Sequence, residues 1–214
     1  MAALVHNGYM LVQISRRLAE YHPREVDSAG RARAAVLIPL YQRQGEFHVV
    51  LTKRTDRVQT HKGEISFPGG AMDATDRDLK TTALRESDEE IGLHREHVEI
   101  VGRVDDIITI SDFHVTVFVG AIEAAASPYL WRPHEVEVAE VLEVPLTHLL
   151  DRRNLIEVPR LRDGRLVLQE GFGFGEHLIW GATARMLRNF LDVAVDAVDP
   201  AAAAPSAAAE GAGL

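Results

Sequence analysis

Apolar residues recur at helical spacing near the start of the chain and change to a strand pattern further along. Residues 8–22 carry apolar side chains every three to four positions and stop at Pro23, which predicts an N-terminal helix. Residues 34–41 and 47–52 are β-rich runs, and the polar segment between them indicates a hairpin.

The pattern is then interrupted by a pair of glycines. Residues 65–67 predict a short strand, which Pro68, Gly69 and Gly70 close as a turn. Residues 79–91 predict a helix, and Gly92 follows in the position that favours left-handed backbone.

The second half of the chain alternates irregularly between strand and helix patterns. Strands are predicted at residues 98–103, 107–110, 115–122 and 138–144. Pro145 is expected to open a short helix, residues 162–165 to form a hairpin turn, and residues 182–198 to form a closing amphipathic helix. The chain is therefore predicted to be an α/β protein with a mixed sheet and helices on both faces.

Composition narrows the classes of function. The chain has 214 residues and 46% hydrophobic residues, which predicts one domain over residues 1–199. The Ala-rich residues 200–214 are expected to form a disordered tail. A net charge of −9 argues against a nucleic-acid partner, and the absence of cysteine excludes disulfides and thiolate metal sites. Without a leader or membrane-spanning pattern, the expected location is the cytoplasm.

Three glutamates fall together on the predicted helix at 79–91. At about 100° per residue, Glu86, Glu89 and Glu90 occupy one exposed arc beside an apolar one. Crowded carboxylates repel each other, and a hard divalent cation such as Mg²⁺ would relieve that repulsion. Arg85 can pair with Glu89 four residues later. A solvated acidic helix face is the alternative, but no basic residue follows at the spacing that would balance it.

The same helix carries the residues of a known motif. The segment from Gly70 to Leu93 resembles the Nudix box, G-x5-E-x7-R-E-U-x-E-E-x-G-U, where U is a bulky apolar residue. Arg85 and the three glutamates match its second half. Asp76 stands in the place of the first glutamate, one residue further than usual from Arg85, and Ser87 replaces an apolar residue.

The resemblance implies a Nudix-type α/β/α sandwich that hydrolyses a pyrophosphate bond with Mg²⁺ or Mn²⁺. It also implies ligands for the metal, which are Glu86, Glu89, Glu90 and the carbonyl of Gly70. Arg85, Glu86 and Glu89 are the expected catalytic residues, with Glu89 the first choice for general base. Glu135 and Glu137 remain alternatives, because many relatives place the base in a later loop.

A second segment resembles the coenzyme A pyrophosphatases within this family. Residues 51–54, Gly63 and residues 67–70 match a motif of the form L-L-T-K-R-[SA]-x3-R-x3-G-x3-F-P-G-G, with Gln59 in place of an arginine. The resemblance implies coenzyme A as the small-molecule substrate, and the implied substrate-binding residues are Lys53, Arg54, Arg57, His61, Gly63, Phe67 and Gly69. The alternative is that Lys53 and Arg54 merely end a surface strand.

Residues 179–184 also resemble this subfamily, so the likeness spans roughly residues 33–190. Two other functions remain open. One is the same chemistry on ADP-ribose, NADH or a dinucleoside polyphosphate, and the other is a Nudix domain that binds a nucleotide without hydrolysing it. The resemblance further allows a homodimer formed through the terminal segments.

Overall fold

The computed structural model describes residues 2–28, 30–57, 62–162 and 164–195, without the side chains of residues 2–9, 162 and 195. The elements of this part follow in the order α1 (Ala2–Glu20), β1 (Ala32–Arg43), β2 (Glu46–Arg54), β3 (Ile65–Ser66), β4 (Gly69–Ala71), α2 (Leu79–Ile91), β5 (Val98–Ile108), β6 (Phe113–Ile122), β7 (Val138–Pro145), α3 (Leu146–Leu150), β8 (Leu155–Arg162), β9 (Arg165–Phe174), β10 (His177–Ile179) and α4 (Gly181–Phe190). The predicted tail at residues 200–214 lies outside the described residues.

The central sheet is mixed, as predicted. Strands β3, β2, β1, β6 and β5 lie side by side in that order, while β4 pairs with β1 and β7 pairs with β2. Only β1 and β6 run parallel, and every other pairing in this seven-stranded sheet is antiparallel. The register sets Gly70 opposite Ala35 and Gly69 opposite Val36, so the glycine pair lies against the middle of the sheet.

Helices cover both faces of this sheet. Helix α2 buries Ala83, Leu84 and Ile91 against one face. Helices α1 and α4 bury their apolar sides, including Leu18 and Leu187, against the other face. The layered α/β/α prediction is therefore confirmed. Within the described residues, none of the helices is long and apolar enough to cross a membrane.

Several predicted boundaries are wrong. Residues 98–103 and 107–108 belong to one strand, β5, because its register shifts opposite β6 let the strand continue where the apolar pattern breaks, and residues 109 and 110 lie beyond its end. The first helix runs over Ala2–Glu20 and not over residues 8–22. The closing α-helix ends at Phe190 and passes into a π-helical turn at Leu191–Val195, while residues 196–198 lie outside the described part.

A small second sheet was not predicted. Strands β8, β9 and β10 form it in the order β10-β9-β8, all antiparallel. Strands β8 and β9 form a long hairpin, which turns after Arg162 as the sequence indicated.

Candidate active site

The acidic helix α2 begins and ends as its sequence predicts. Asp78 caps the first turn, because its carboxylate accepts hydrogen bonds from the backbone N–H of Thr81 at 2.7 Å and from the Thr81 hydroxyl at 2.8 Å. Gly92 ends the helix with a φ of 67° and donates its N–H to Asp88. These caps fix which residues face the sheet.

Asp76 holds Arg85 in place. Its buried carboxylate accepts two hydrogen bonds at 3.0 Å, from Nε and Nη2 of Arg85. The Thr82 hydroxyl and the N–H of Asp73 donate to the same carboxylate. The guanidinium of Arg85 and these donors hold the pKa of Asp76 well below its usual range. Asp76, to which the sequence assigned no role, therefore positions the side chain of Arg85.

Arg85 also reaches two of the three predicted ligands. Its Nη1 lies 2.9 Å from Glu86 Oε1 and 3.0 Å from Glu89 Oε2. Among the described residues, no three histidine, aspartate or glutamate side chains surround a common point as metal ligands would. The expectation that all three glutamates converge is not met in this arrangement, because Glu89 turns toward Arg85 and stays 60% exposed.

Glu90 is buried, so the prediction that its side chain is exposed is wrong, while its role as a metal ligand stays a prediction. The residue is only 4% exposed, since its side chain points from α2 toward the sheet. Its carboxylate lies 3.4 Å from the N–H of Gly69 and 3.7 Å from Nη1 of Arg54. Burial raises the pKa of Glu90 to about 8, and the neighbouring Glu86 adds to the rise while Arg54 opposes it.

Glu86 lies against the backbone of Gly70. A Cβ atom at Gly70 would lie 2.6–2.7 Å from the atoms of the Glu86 carboxylate, closer than real Cβ contacts come. Glycine is therefore required here by the close approach of the carboxylate. Burial raises the pKa of Glu86, although Arg85 opposes the rise.

A fourth carboxylate enters from the loop that precedes β7. Burial is the main reason that the pKa values of Glu86 and Glu90 are raised, and the charge of Glu137 adds to both rises. Thr55 anchors this loop, because its hydroxyl donates to the carbonyl of Val136 at 2.5 Å and its N–H donates to that of Glu137 at 2.9 Å. Glu135, the other loop residue considered, is exposed. The general base among Glu89, Glu135 and Glu137 stays a prediction.

The predicted basic cluster divides between two faces of the sheet. Successive side chains of a strand point to opposite sides. Val50 of β2 packs in the core beneath α2 and Leu51 in the core beneath α1 and α4. Arg54 lies four residues after Val50 on the same face of β2, and it reaches Glu90. Lys53 lies on the other face, where its strand partner is Glu140 of β7.

The remaining predicted substrate residues are scattered around β3. Arg57 is exposed in the turn after β2, and Gly63 occupies a turn with a φ of 67°. Phe67 is buried in the core and Gly69 donates to Glu90, so neither offers a free side chain to a substrate. His61 lies outside the described residues. Their roles in binding stay predictions.

Comparison with known proteins places this geometry in a family. The sequence profile of the NUDIX domain matches residues 31–161, which is more than half of the chain. The chain belongs to the Nudix family. The predicted Nudix fold is confirmed by a solved structure. The crystal structure of a NUDIX hydrolase from Alicyclobacillus acidocaldarius matches with a TM-score of 0.50 at 19% sequence identity, and the match covers 76% of this chain and 91% of that one.

Curated relatives agree with this assignment. A protein of Enterobacter sp. (strain 638) with the name uncharacterized Nudix hydrolase NudL is 37% identical over 166 residues, which cover 76% of this chain and 83% of the relative. A protein of the same name from Citrobacter koseri is 36% identical over 167 residues, with the same two coverages. The chain is therefore a Nudix hydrolase of pyrophosphate-containing substrates, and such hydrolases generally use divalent metal ions.

The residues present fit a divalent cation. The side chains of Glu86 and Glu90 are both largely withdrawn from water, the charge of Glu137 acts on both, and Arg54 lies 3.7 Å from Glu90. Buried carboxylates without full compensation are costly, and oxygen-only donors suit Mg²⁺ or Mn²⁺. Glu89 could join this set only after leaving Arg85.

Proposed function

We propose that this Nudix hydrolase cleaves the pyrophosphate of coenzyme A to adenosine 3′,5′-bisphosphate and 4′-phosphopantetheine. One observation carries the proposal. Both halves of the coenzyme A-like segment meet at the same carboxylate, because Arg54 ends β2 beside Glu90 and Gly69 donates its N–H to Glu90. A pyrophosphate bound there would contact the acidic helix and the subfamily segment together.

The proposed roles follow from these positions. Glu86, Glu90 and the Gly70 carbonyl would hold Mg²⁺ or Mn²⁺, with Glu89 as a further ligand once it leaves Arg85. When bound, the ion would neutralise the pyrophosphate and lower the pKa of a nearby water. Water attacks one phosphorus, the bridging oxygen departs with the other phosphate, and a carboxylate accepts the proton. Glu137 is our first choice for that base, ahead of Glu89 and Glu135.

Arg54 and Lys53 are expected to act on different parts of the substrate. Because Arg54 lies beside Glu90, we expect it to bind the pyrophosphate. Lys53 lies on the opposite face of β2, so it is the better candidate for the 3′-phosphate that coenzyme A carries at a distance from the pyrophosphate.

Kinetics on coenzyme A and 3′-dephospho-coenzyme A test this division. Arg54→Ala should lower kcat/KM equally for both, whereas Lys53→Ala should lower it about tenfold or more for coenzyme A alone, as expected for a lost charge-assisted contact of about 1.5–3 kcal/mol. Lys80→Ala, on the exposed side of α2, is the matched control. Unchanged kcat/KM in both site variants would show that neither Arg54 nor Lys53 binds the substrate.

Rival substrates are separated by the same assay. ADP-ribose, NADH and dinucleoside polyphosphates share the pyrophosphate but lack the phosphopantetheine arm. Turnover of one of these without turnover of coenzyme A would replace the proposed substrate and leave the Nudix chemistry intact. A lack of product from every one of these compounds, with both Mg²⁺ and Mn²⁺, would favour a domain that only binds nucleotides.

A further inference from the structure

The small second sheet brings its last strand, β10, against the main sheet. Strand β10 pairs with the end of β9 and leads directly into α4. In the first turn of α4, the buried Thr183 hydroxyl donates to the carbonyl of Ile65 in β3 at 2.9 Å. This hydrogen bond joins residues that are 118 positions apart, and it fixes the start of α4 beside β3. The segment 179–184, which resembles the coenzyme A subfamily, therefore holds β10 in its place.

His177, the first residue of β10, reaches the carboxylate of Glu140 on β7. Nε2 of His177 lies 3.4 Å from Oε2 of Glu140, and the His177 side chain is only 9% exposed. The strand partner of Glu140 is Lys53 of β2, and directly opposed side chains point to the same face of a sheet. The next pair on that face, Leu51 and Leu142, packs in the core beneath α1 and α4. His177, Glu140 and Lys53 therefore form one group on the α4 side of the sheet, called here the Lys53 cluster.

The ammonium group of Lys53 has no ionic partner in this cluster. Glu140 stands opposite Lys53 and would be its natural partner, but its carboxylate lies beside His177. Among the side chains that the structure describes, no other acid pairs with Lys53, which is half-buried. A charge that is partly withdrawn from water is costly unless it is paired. An anionic group bound at the Lys53 cluster would supply the missing partner.

Lys53 and Arg54 are neighbours in the chain that serve opposite faces of the sheet. Nη1 of Arg54 lies 3.7 Å from Glu90, next to the acidic helix, and β2 ends at this residue. A ligand that contacts both cations must carry two separate anionic groups and pass around the end of β2. Coenzyme A has this form, because one ribose carries the pyrophosphate on its 5′ carbon and a phosphate on its 3′ carbon. ADP-ribose and NADH lack the 3′-phosphate.

We propose that His177 binds the 3′-phosphate of coenzyme A together with Lys53 and so contributes to the preference for this substrate. This inference rests on the proposed function. Lys53 supplies a charge-assisted contact, and the ring nitrogen of His177 that does not face Glu140 donates a hydrogen bond to the same phosphate. Glu140 is a positioning residue, because it orients the imidazole ring from the other side. The small second sheet thereby provides one wall of the substrate site.

Kinetics of His177 variants on coenzyme A and 3′-dephospho-coenzyme A test the inference. His177→Ala should lower kcat/KM about tenfold or more for coenzyme A, mainly through KM, and less than about twofold for the dephospho form. His177→Gln keeps an N–H donor and should recover part of the loss. His94→Ala is the matched control, because His94 also faces a carboxylate, Asp88 at 3.0 Å, but follows α2 on the other side of the sheet. Circular dichroism establishes that each variant is folded.

Nucleotide binding separates this inference from the proposed reaction, since it requires no turnover. Isothermal titration calorimetry should show that the wild type binds adenosine 3′,5′-bisphosphate about tenfold or more tightly than adenosine 5′-monophosphate. His177→Ala and Lys53→Ala should each reduce this preference, whereas His94→Ala should retain it. If coenzyme A is not hydrolysed but this preference depends on His177, the proposed function fails while the 3′-phosphate site stands.

Three results would overturn the inference. The first is a wild type that binds the bisphosphate and the monophosphate equally well. The second is wild-type discrimination between the two coenzyme substrates in both His177→Ala and His177→Gln. The third is an equal loss of kcat/KM on both substrates in folded variants, which would limit His177 to the packing of β10 on the main sheet.

Discussion

Replacing Glu90 by glutamine should stabilise the metal-free protein at alkaline pH. Glu90 is an acid buried beside other carboxylates, and its pKa rises from an ordinary 4.5 to about 8. Between these values the unfolded chain releases the proton while the folded chain retains it. The stability of the wild type should therefore fall as the pH rises through this interval, and the loss should be complete above pH 8.

The size of this effect follows from the same interval. Each pH unit between the two pKa values is worth about 1.4 kcal/mol, so the full penalty is about 5 kcal/mol. This is an upper bound, because glutamine also deprives Arg54 of a partner. We expect Glu90→Gln to exceed the wild type by about 2–5 kcal/mol at pH 8.5 and by less than about 1 kcal/mol at pH 5.

Urea denaturation in EDTA at both pH values measures the difference. Glu89→Gln is the control, because an exposed ion pair with Arg85 contributes less than about 1 kcal/mol. Saturating Mg²⁺ should stabilise the wild type at pH 8.5 and leave Glu90→Gln largely unaffected. The variant should also lose about 100-fold in kcat, since metal electrostatics dominate such reactions. A variant no more stable than the wild type at pH 8.5 would refute the assignment of Glu90 as a buried, uncompensated acid.

Three further substitutions test the rest of the site. Glu137→Gln should lower kcat about 100-fold or more whereas Glu135→Gln changes it less than about twofold, and equal losses would remove Glu137 as the base. Asp76→Asn should lower the free energy of unfolding by about 3 kcal/mol, because the buried ion pair with Arg85 loses one partner, and Asp76→Glu should recover part of this loss. A loss below about 1 kcal/mol for Asp76→Asn in urea denaturation would contradict the pairing. Gly70→Ala should raise the Mg²⁺ concentration needed for half-maximal activity about tenfold, because its Cβ would displace the Glu86 carboxylate, and an unchanged requirement would argue against that contact.

The sequence predicted the bounds of α2, because two local signals agree there. The apolar arc has helical spacing, and Gly92 can take left-handed backbone. The sequence predicted two strands in place of β5 because a β-bulge shifts the alternation of apolar residues. Without knowledge of the partner strand, this shift looks like the end of a strand. The second sheet was missed because its β8–β9 hairpin exposes leucines on the solvent side, against the usual pattern.

In the site, the spacing of the glutamates along the helix identified the candidate ligands but not how deeply each side chain is buried. A helical wheel places Glu86, Glu89 and Glu90 on one arc, but only the docking of α2 on the sheet buries Glu90 and leaves Glu89 exposed. The position of the loop that carries Glu137 depends on Thr55, which anchors it across 81 residues of sequence. Such contacts between distant segments leave no periodic signal in a single chain.

Hydrolysis of coenzyme A in ¹⁸O-water tests the central claim most directly. With Mg²⁺ or Mn²⁺ present, the account predicts adenosine 3′,5′-bisphosphate and 4′-phosphopantetheine as the primary products. One label should enter, and we expect it in the 5′-phosphate of the adenosine product. Label in phosphopantetheine alone would change which phosphorus is attacked and keep the hydrolase. Intact coenzyme A under these conditions, or the release of adenosine or free pantetheine as primary products, would contradict the account.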